Sequence, residues 1–296
     1  MSRFTFDSAD GTTIAGWHND GAGIPVVICN GLGTPPIAWP VVAAADSGFQ
    51  VCSWYYRGTG GSDRPADESR ISIDDHMADV LALMDHQGLD RALLACWSLG
   101  VNIGFELARQ HPERVAGVLA VAGVPGGTFQ AIGGPLRVPR PLRHRLGVAG
   151  AKTAKALGPA LSWGFRHTPL TRTTARIISH SGLVTPAAQP EWLLPALEEF
   201  REHDFRWYFT LALAGSLHEP MDLAFVTEPV TLVAGRHDVI TSLDDMRAAA
   251  ACIPHADLRV LPGSHFLPLE YPSELADELR ALAARTEFAP GPVTAG

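Results

Sequence analysis

The sequence predicts an α/β fold: a mainly parallel sheet with helices on both faces, interrupted by an inserted helical cap. Three observations carry this expectation. Short apolar runs alternate with helical periodicity through the first 125 residues, the rhythm breaks from about Pro125 to Phe225, and it resumes at Val230. A connection of that size exceeds ordinary loop lengths and is usually functional, often a lid.

Taken in order, Phe4-Thr5-Phe6 and Thr12 to Trp17, joined around Asp10-Gly11, read as an opening hairpin. Ile24 to Cys29 and Phe49 to Tyr55 are apolar runs bounded by Gly, Pro and polar residues, the pattern of strands buried on both faces. Ile73 to His86 carries Met77, Val80, Leu81 and Met84 at helical spacing. Ala92 to Trp97 is the next strand, Asn102 to Gln110 a helix ended by His111-Pro112, and Val115 to Ala122 a strand. The segment that follows is rich in Pro and Gly, and Glu191 to Leu213 is its clearest helical stretch. Beyond it come Val230 to Ala234 (strand), Ser242 to Cys252 (helix), Leu258 to Leu261 (strand) and Ser273 to Arg285 (helix). The expected divisions are a core of residues 1–124 and 226–287, a helical cap of residues 125–225 and a frayed tail of residues 288–296. No internal repeat is evident.

The bulk numbers set bounds on function. A chain of 296 residues, 46% apolar and 18% charged, has ample material for a buried core. No run approaches the roughly 18 apolar residues of a membrane span. The start, MSRFTFDSADGTT, lacks the apolar stretch of a secretory signal, so a cytoplasmic location is expected. Cys29, Cys52, Cys96 and Cys252 stand far apart with no zinc spacing; three lie in strand-like runs, as small buried hydrophobes do. The net charge of −8 is unevenly spread: from Arg114 through Pro190 there is no Asp or Glu, against ten Arg and Lys. Such asymmetry marks either a membrane- or anion-facing surface or a solvated basic face that balances acidic surroundings.

The chemistry centres on Ala95-Cys96-Trp97-Ser98-Leu99-Gly100, which follows a strand and opens a helix. This is the setting of a nucleophile elbow, in which a sharp turn lifts Ser98 above the sheet edge. A serine hydroxyl needs a histidine to take its proton, and that histidine needs an acid to fix its tautomer. Gly235-Arg236-His237-Asp238 follows a strand directly, and Gly263-Ser264-His265-Phe266 follows the last one. Ser98, Asp238 and His265 therefore emerge at one rim of the sheet, in the chain order this architecture uses. Asp244 and Asp245 are rival acids, but they sit at a helix start and read as charges on its dipole. The turn Asn30-Gly31-Leu32-Gly33 can aim the Leu32 N–H at a substrate oxygen and, with the Leu99 N–H, form an oxyanion hole. It is not a phosphate cradle: Thr34-Pro35-Pro36 follows, with no lysine and no third glycine. No nucleic-acid partner is expected.

With Arg57-Gly58-Thr59-Gly60-Gly61-Ser62 added to these motifs, the sequence resembles the α/β-hydrolase family over nearly its whole length outside the insertion. The resemblance implies a serine hydrolase acting on carboxylic esters of small to medium apolar substrates through an acyl-enzyme. It also implies no metal or organic cofactor, and a structural role for Arg57 in the loop after the fourth strand. Carbon–carbon bond hydrolysis, lactone opening, acyl transfer and slow-turnover ligand reception remain open on the same three residues. Three departures from the family pattern stand out. Asn30 takes the place of the usual His before the oxyanion glycine, Tyr55 that of an Asp, and Cys96 that of the first elbow Gly. Serine rather than aspartate as nucleophile argues against the haloalkane dehalogenase and epoxide hydrolase branches.

For substrate contacts the sequence nominates Trp97, Trp163, Trp207 and Phe266. The insertion's aromatics Trp163, Trp192, Phe200, Phe205, Trp207, Tyr208 and Phe209 either line an apolar pocket or form the cap's own small core. Its cations Arg137, Arg140, Arg143, Arg145, Lys152, Lys155, Arg166, Arg172 and Arg176 suggest attraction to an anionic substrate or to a lipid surface.

Overall fold

The structure, a computed structural model, describes residues 1–130 and 139–289. Residue Arg137 of the cap cations and residues 290–296 of the expected tail lie outside them. Strands β1 (Ser2–Asp7), β2 (Thr13–His18), β3 (Ile24–Cys29), β4 (Phe49–Trp54), β5 (Ala92–Trp97), β6 (Val115–Val121), β7 (Val230–Gly235) and β8 (Ala256–Leu261) form one sheet. Their order is β1-β2-β4-β3-β5-β6-β7-β8. The β1/β2 hairpin is antiparallel, with Asp7 opposite Thr13, and β2 also runs against β4; every other pairing is parallel.

Alternation along the central strands divides the core in two. In β5, Leu94 and Cys96 face one side with Val27 and Val118, where Val80, Leu83 and Met84 of α1 (Ile73–His86) and Phe105 of α2 (Leu99–Gln110) cover them. Leu93, Ala95 and Trp97 face the other side with Val26, Ile28 and Leu119, under Leu275, Leu279 and Leu282 of the last helix. Every residue of β5, β6 and β7 is buried, which is why these strands read as unbroken apolar runs. Helix α1 starts where Ser72 and Asp75 cap each other's backbone N–H groups reciprocally.

Between β6 and β7 the described residues contain five α-helices: α3 (Arg140–Ala156), α4 (Gly158–His167), α5 (Arg172–Ser179), α6 (Pro190–Phe200) and α7 (Phe205–Gly215). The expected helical stretch from Glu191 to Leu213 is thus two helices. Asp204 breaks it, because its carboxylate accepts from the Arg206 and Trp207 N–H groups and begins a new helix. The chain closes with α8 (Leu243–Ala251), α9 (Leu267–Glu270) and α10 (Pro272–Ala283).

Arg57 is buried at the end of β4. Its guanidinium donates to Asp10 at 2.6 Å, to Asp79 at 2.7 and 3.0 Å, to the Arg70 carbonyl at 2.9 Å and to Ser8 at 3.1 Å. Burial alone would raise the Asp10 carboxyl, but hydrogen bonds from Thr12 and Arg57 outweigh it and bring the pKa down to about 2. Burial works against Asp79 too, and His76 and Arg57 hold it below the usual carboxylate range. A carboxylate depressed in this way stabilises the fold above its unfolded pKa, about 3.9, and loses that contribution as pH falls through the native value. Asp10→Asn is therefore expected to lower the urea midpoint at neutral pH. The gap to wild type is expected to close between about pH 4 and about pH 2, which urea titrations across that range will read.

Candidate active site

Strand β5 runs straight into Ser98, whose φ of 54° and ψ of −115° lie outside the regions a non-glycine residue favours. Such strain persists only where surrounding structure over-determines it. Here the Ser98 N–H donates to the Val121 carbonyl at 3.0 Å, and α2 begins at once. A Cβ on Gly100 would stand 1.9 Å from the Cys29 carbonyl oxygen, so only glycine lets α2 start this close to β3. Cys96, where the family pattern has glycine, is accommodated from the other side. A Cβ on Gly104 would lie 2.3 Å from the Cys96 sulfur, so the missing side chain one turn along α2 makes room for the thiol.

His265 Nε2 lies 2.8 Å from Ser98 Oγ, and His265 Nδ1 lies 2.9 Å from Asp238 Oδ2. A carboxylate only accepts, so the proton sits on Nδ1 and leaves Nε2 to accept from the serine hydroxyl. Asp238 Oδ1 is fixed in turn by the Ile240 and Thr241 N–H groups at 2.7 and 2.8 Å. Both Asp238 and His265 are buried. Asp244 and Asp245 fall in the first turn of α8, behind the Ser242 cap, away from this chain of hydrogen bonds.

Two contacts that the sequence does not advertise hold the histidine loop. Trp97 Nε1 donates to the His265 carbonyl at 2.9 Å. Glu270, buried on α9, accepts from the Ser264 N–H and Oγ, both at 2.7 Å, and from the Thr185 N–H at 2.6 Å. The only sequence signal for Glu270 is a single carboxylate inside the apolar stretch Phe266-Leu267-Pro268-Leu269-Glu270-Tyr271-Pro272.

The Gly31–Gly33 turn lies against Ser98: a Cβ on Gly31 would be 3.5 Å from that of the serine. Among the described residues, neither the Leu32 nor the Leu99 N–H has an acceptor, and Leu99 is the first residue of α2. The Tyr208 ring closes over Gly33, and burial pushes its hydroxyl up to about 12, so it stays protonated.

Above Ser98 and His265 opens a cavity of about 500 Å³. Its walls include Leu32, Leu99, Phe129, Phe165, Leu193 and Phe200. No Asp, Glu, Lys or Arg is among the described residues that line it. Of the nominated contacts, Trp97 and Phe266 are on the wall. Trp163 and Trp207 are not, which corrects that expectation. Trp163 is 67% exposed and stacks on His167, because α4 turns its opposite face inward. Trp207 is buried, but its Nε1 donates to the Arg57 carbonyl at 2.7 Å and Arg64 stands over its ring, so it fastens α7 to the β4 loop. Phe200 and Tyr208 line the cavity, while Phe205 packs between Phe165 and Phe200; the aromatics thus divide between wall and core. None of the described cap cations reaches the cavity. Among the described residues, no group of three or more His, Cys, Asp and Glu is placed to hold a metal ion, and no helix is long and apolar enough to cross a membrane.

A Ser–His–Asp chain at the carboxyl ends of parallel strands, its histidine and aspartate buried and two unengaged amides beside it, belongs to the α/β class of hydrolases. The model of the α/β hydrolase fold family matches residues 24–272, and the chain is a member of that family. Among known proteins, 3-oxoadipate enol-lactonase 2 of Acinetobacter baylyi is 27% identical over 279 residues, 88% of each chain. The putative carbamate hydrolase RutD of Caulobacter segnis is 32% identical over 111 residues, 37% of this chain and 41% of that protein. An enol-lactonase from Burkholderia xenovorans superposes with a TM-score of 0.70 at 20% identity, covering 95% of this chain and 100% of the other. A solved N-acyl homoserine lactone degrading enzyme gives 0.69 at 25% identity, covering 94% and 99%.

Proposed function

We propose that this chain hydrolyses neutral carboxylic esters, open-chain or cyclic, whose acyl part is apolar. The observation that carries the proposal is the cavity of about 500 Å³ over Ser98 and His265, whose described lining holds no Asp, Glu, Lys or Arg. Buried charge without a partner is costly, so a substrate carboxylate has no favourable place there, whereas an alkyl or aryl group does. Ser98 Oγ attacks the carbonyl carbon as His265 Nε2 takes its proton, and Asp238 stabilises the imidazolium that forms. The Leu32 and Leu99 N–H groups receive the oxyanion. His265 then protonates the leaving alcohol, and a water molecule repeats the sequence on the acyl-enzyme. The helices α3–α7 act as the cap that keeps the site dry.

The lactonase relative supports cyclic esters as substrates, but its name specifies 3-oxoadipate, a dicarboxylic acid. With no Lys or Arg among the described residues that line the cavity, this chain is expected to take a different, uncharged ring. Turnover of p-nitrophenyl esters from acetate to long acyl chains, and of alkyl lactones with and without a terminal carboxylate, tests the reading. Neutral substrates are expected to exceed their carboxylated analogues in kcat/KM by about a hundredfold, the cost of roughly 3 kcal/mol for an unpaired buried polar group. Folded protein that turns over none of them, or prefers the carboxylated ones, rules it out.

A further inference from the structure

Large apolar side chains that stand in solvent are concentrated in α3–α7 and their connections: Leu142, Leu146, Trp163, Phe165, Ile177 and Leu183 are 42–67% exposed. Outside that segment, among the described residues, Met1, Leu217 and Val239 are comparable, and they do not cluster in the sequence. Basic residues share these faces. Arg145 and Lys152 are exposed on the Leu142–Leu146 stripe of α3, and Arg172 and Arg176 flank Ile177 on α5. Arg166 beside Trp163 pairs with Glu202. Arg145, Lys152, Lys155, Arg172 and Arg176, by contrast, have no acidic partner among the described residues. All 31 Asp and Glu of the chain lie outside the stretch from Arg114 to Pro190. Phe165 and Leu183 are both exposed and part of the cavity wall, so the cavity opens between α4 and the loop after α5, among these faces.

We propose that the outer face of α3, α4 and α5 docks on an anionic lipid bilayer, with the mouth of the cavity turned toward it. The cations match the negative surface, and the Trp, Leu, Ile and Phe side chains enter the boundary between headgroups and acyl chains. A nucleic acid would satisfy the cations and leave those apolar groups in water. A second copy meeting the same face across a two-fold axis would set cation against cation. The docking surface stands apart from the hydrolase reading; only delivery of apolar esters from the bilayer into the cavity rests on it.

Co-sedimentation of the full chain with vesicles tests the proposal, comparing phosphatidylcholine alone with phosphatidylcholine containing about one third phosphatidylglycerol. Binding is expected on the anionic vesicles and is expected to weaken as salt shortens the screening length. Each Lys or Arg lost near the surface is worth about fivefold, so the Arg145→Gln, Lys152→Gln double variant should bind about twenty-five-fold more weakly. Leu146→Ser should weaken binding as well. All three positions are exposed and off the cavity wall, so turnover of a water-soluble short ester should be unchanged in these variants. Absent binding, equal binding to both vesicles, or variants that bind like wild type overturn the proposal. So does a chain that ignores vesicles but forms a dimer the same substitutions disrupt. If no soluble ester is turned over while vesicle binding behaves as described, the hydrolase reading fails and the docking surface stands.

Discussion

Ser98→Ala is expected to lower kcat on neutral esters by about a million-fold, with substrate binding and thermal stability left near wild type. On the proposed mechanism the serine, histidine and aspartate act as a unit, so losing the nucleophile leaves the other two with nothing to activate. What is expected to survive is the contribution of the proposed oxyanion amides, Leu32 and Leu99, and of binding, about a thousand- to ten-thousand-fold over water. Alanine keeps the Cβ that the elbow already holds at φ 54°, so the turn has no new strain to absorb. Stopped-flow measurement on the preferred p-nitrophenyl ester should show no burst. A variant that retains more than a few per cent of wild-type turnover would move the nucleophile elsewhere.

Asp238→Asn is expected to cost about ten-thousand-fold in kcat at neutral pH, for a different reason. The Ile240 and Thr241 N–H groups can still donate to the amide oxygen, so the loop keeps its shape. The amide nitrogen then faces His265 Nδ1 and, being a donor, favours the tautomer with the proton on Nε2. In that state Nε2 cannot accept from Ser98. Exposed Asp244 serves as the control, since it sits on the first turn of α8 and pairs with Arg247 at 3.1 Å. Asp244→Asn should leave kcat and its pH profile as they are. Comparable losses from both substitutions would mean that Asp238 is not the acid that orients the histidine.

The central sheet was legible because its strands are buried on both sides. Ile24–Cys29 and Ala92–Trp97 are bounded in the structure where their apolar runs begin and end. The positions of Ser98, Asp238 and His265 followed from the same reading, since each stands just beyond a strand. The helices between β6 and β7 resisted it. They pack on one another and around a cavity, so their apolar residues face several directions and no single period dominates. Trp163 and Trp207 show the cost: both look like pocket aromatics, yet one stands in solvent and the other is claimed by the Arg57 carbonyl, 150 positions away in the chain. Glu270 and α9 were missed for a related reason. A four-residue helix has too few positions to show a period, and a carboxylate's partners are invisible until the chain has folded.

Glu270 also bears on how such a fold can be re-engineered. Its Oε1 accepts both from Ser264, next to the histidine, and from the backbone of Thr185, which belongs to the segment between α5 and α6. The segment between β6 and β7 and the histidine loop therefore share one buried carboxyl group. A chimera that exchanges the segment between β6 and β7 for another family member's would inherit that group whether or not the new loop offers an N–H to meet it. Without one, the carboxyl would be left short of a donor beside His265. The segment between β6 and β7 is a replaceable module only for donors that bring an amide to the position of Thr185.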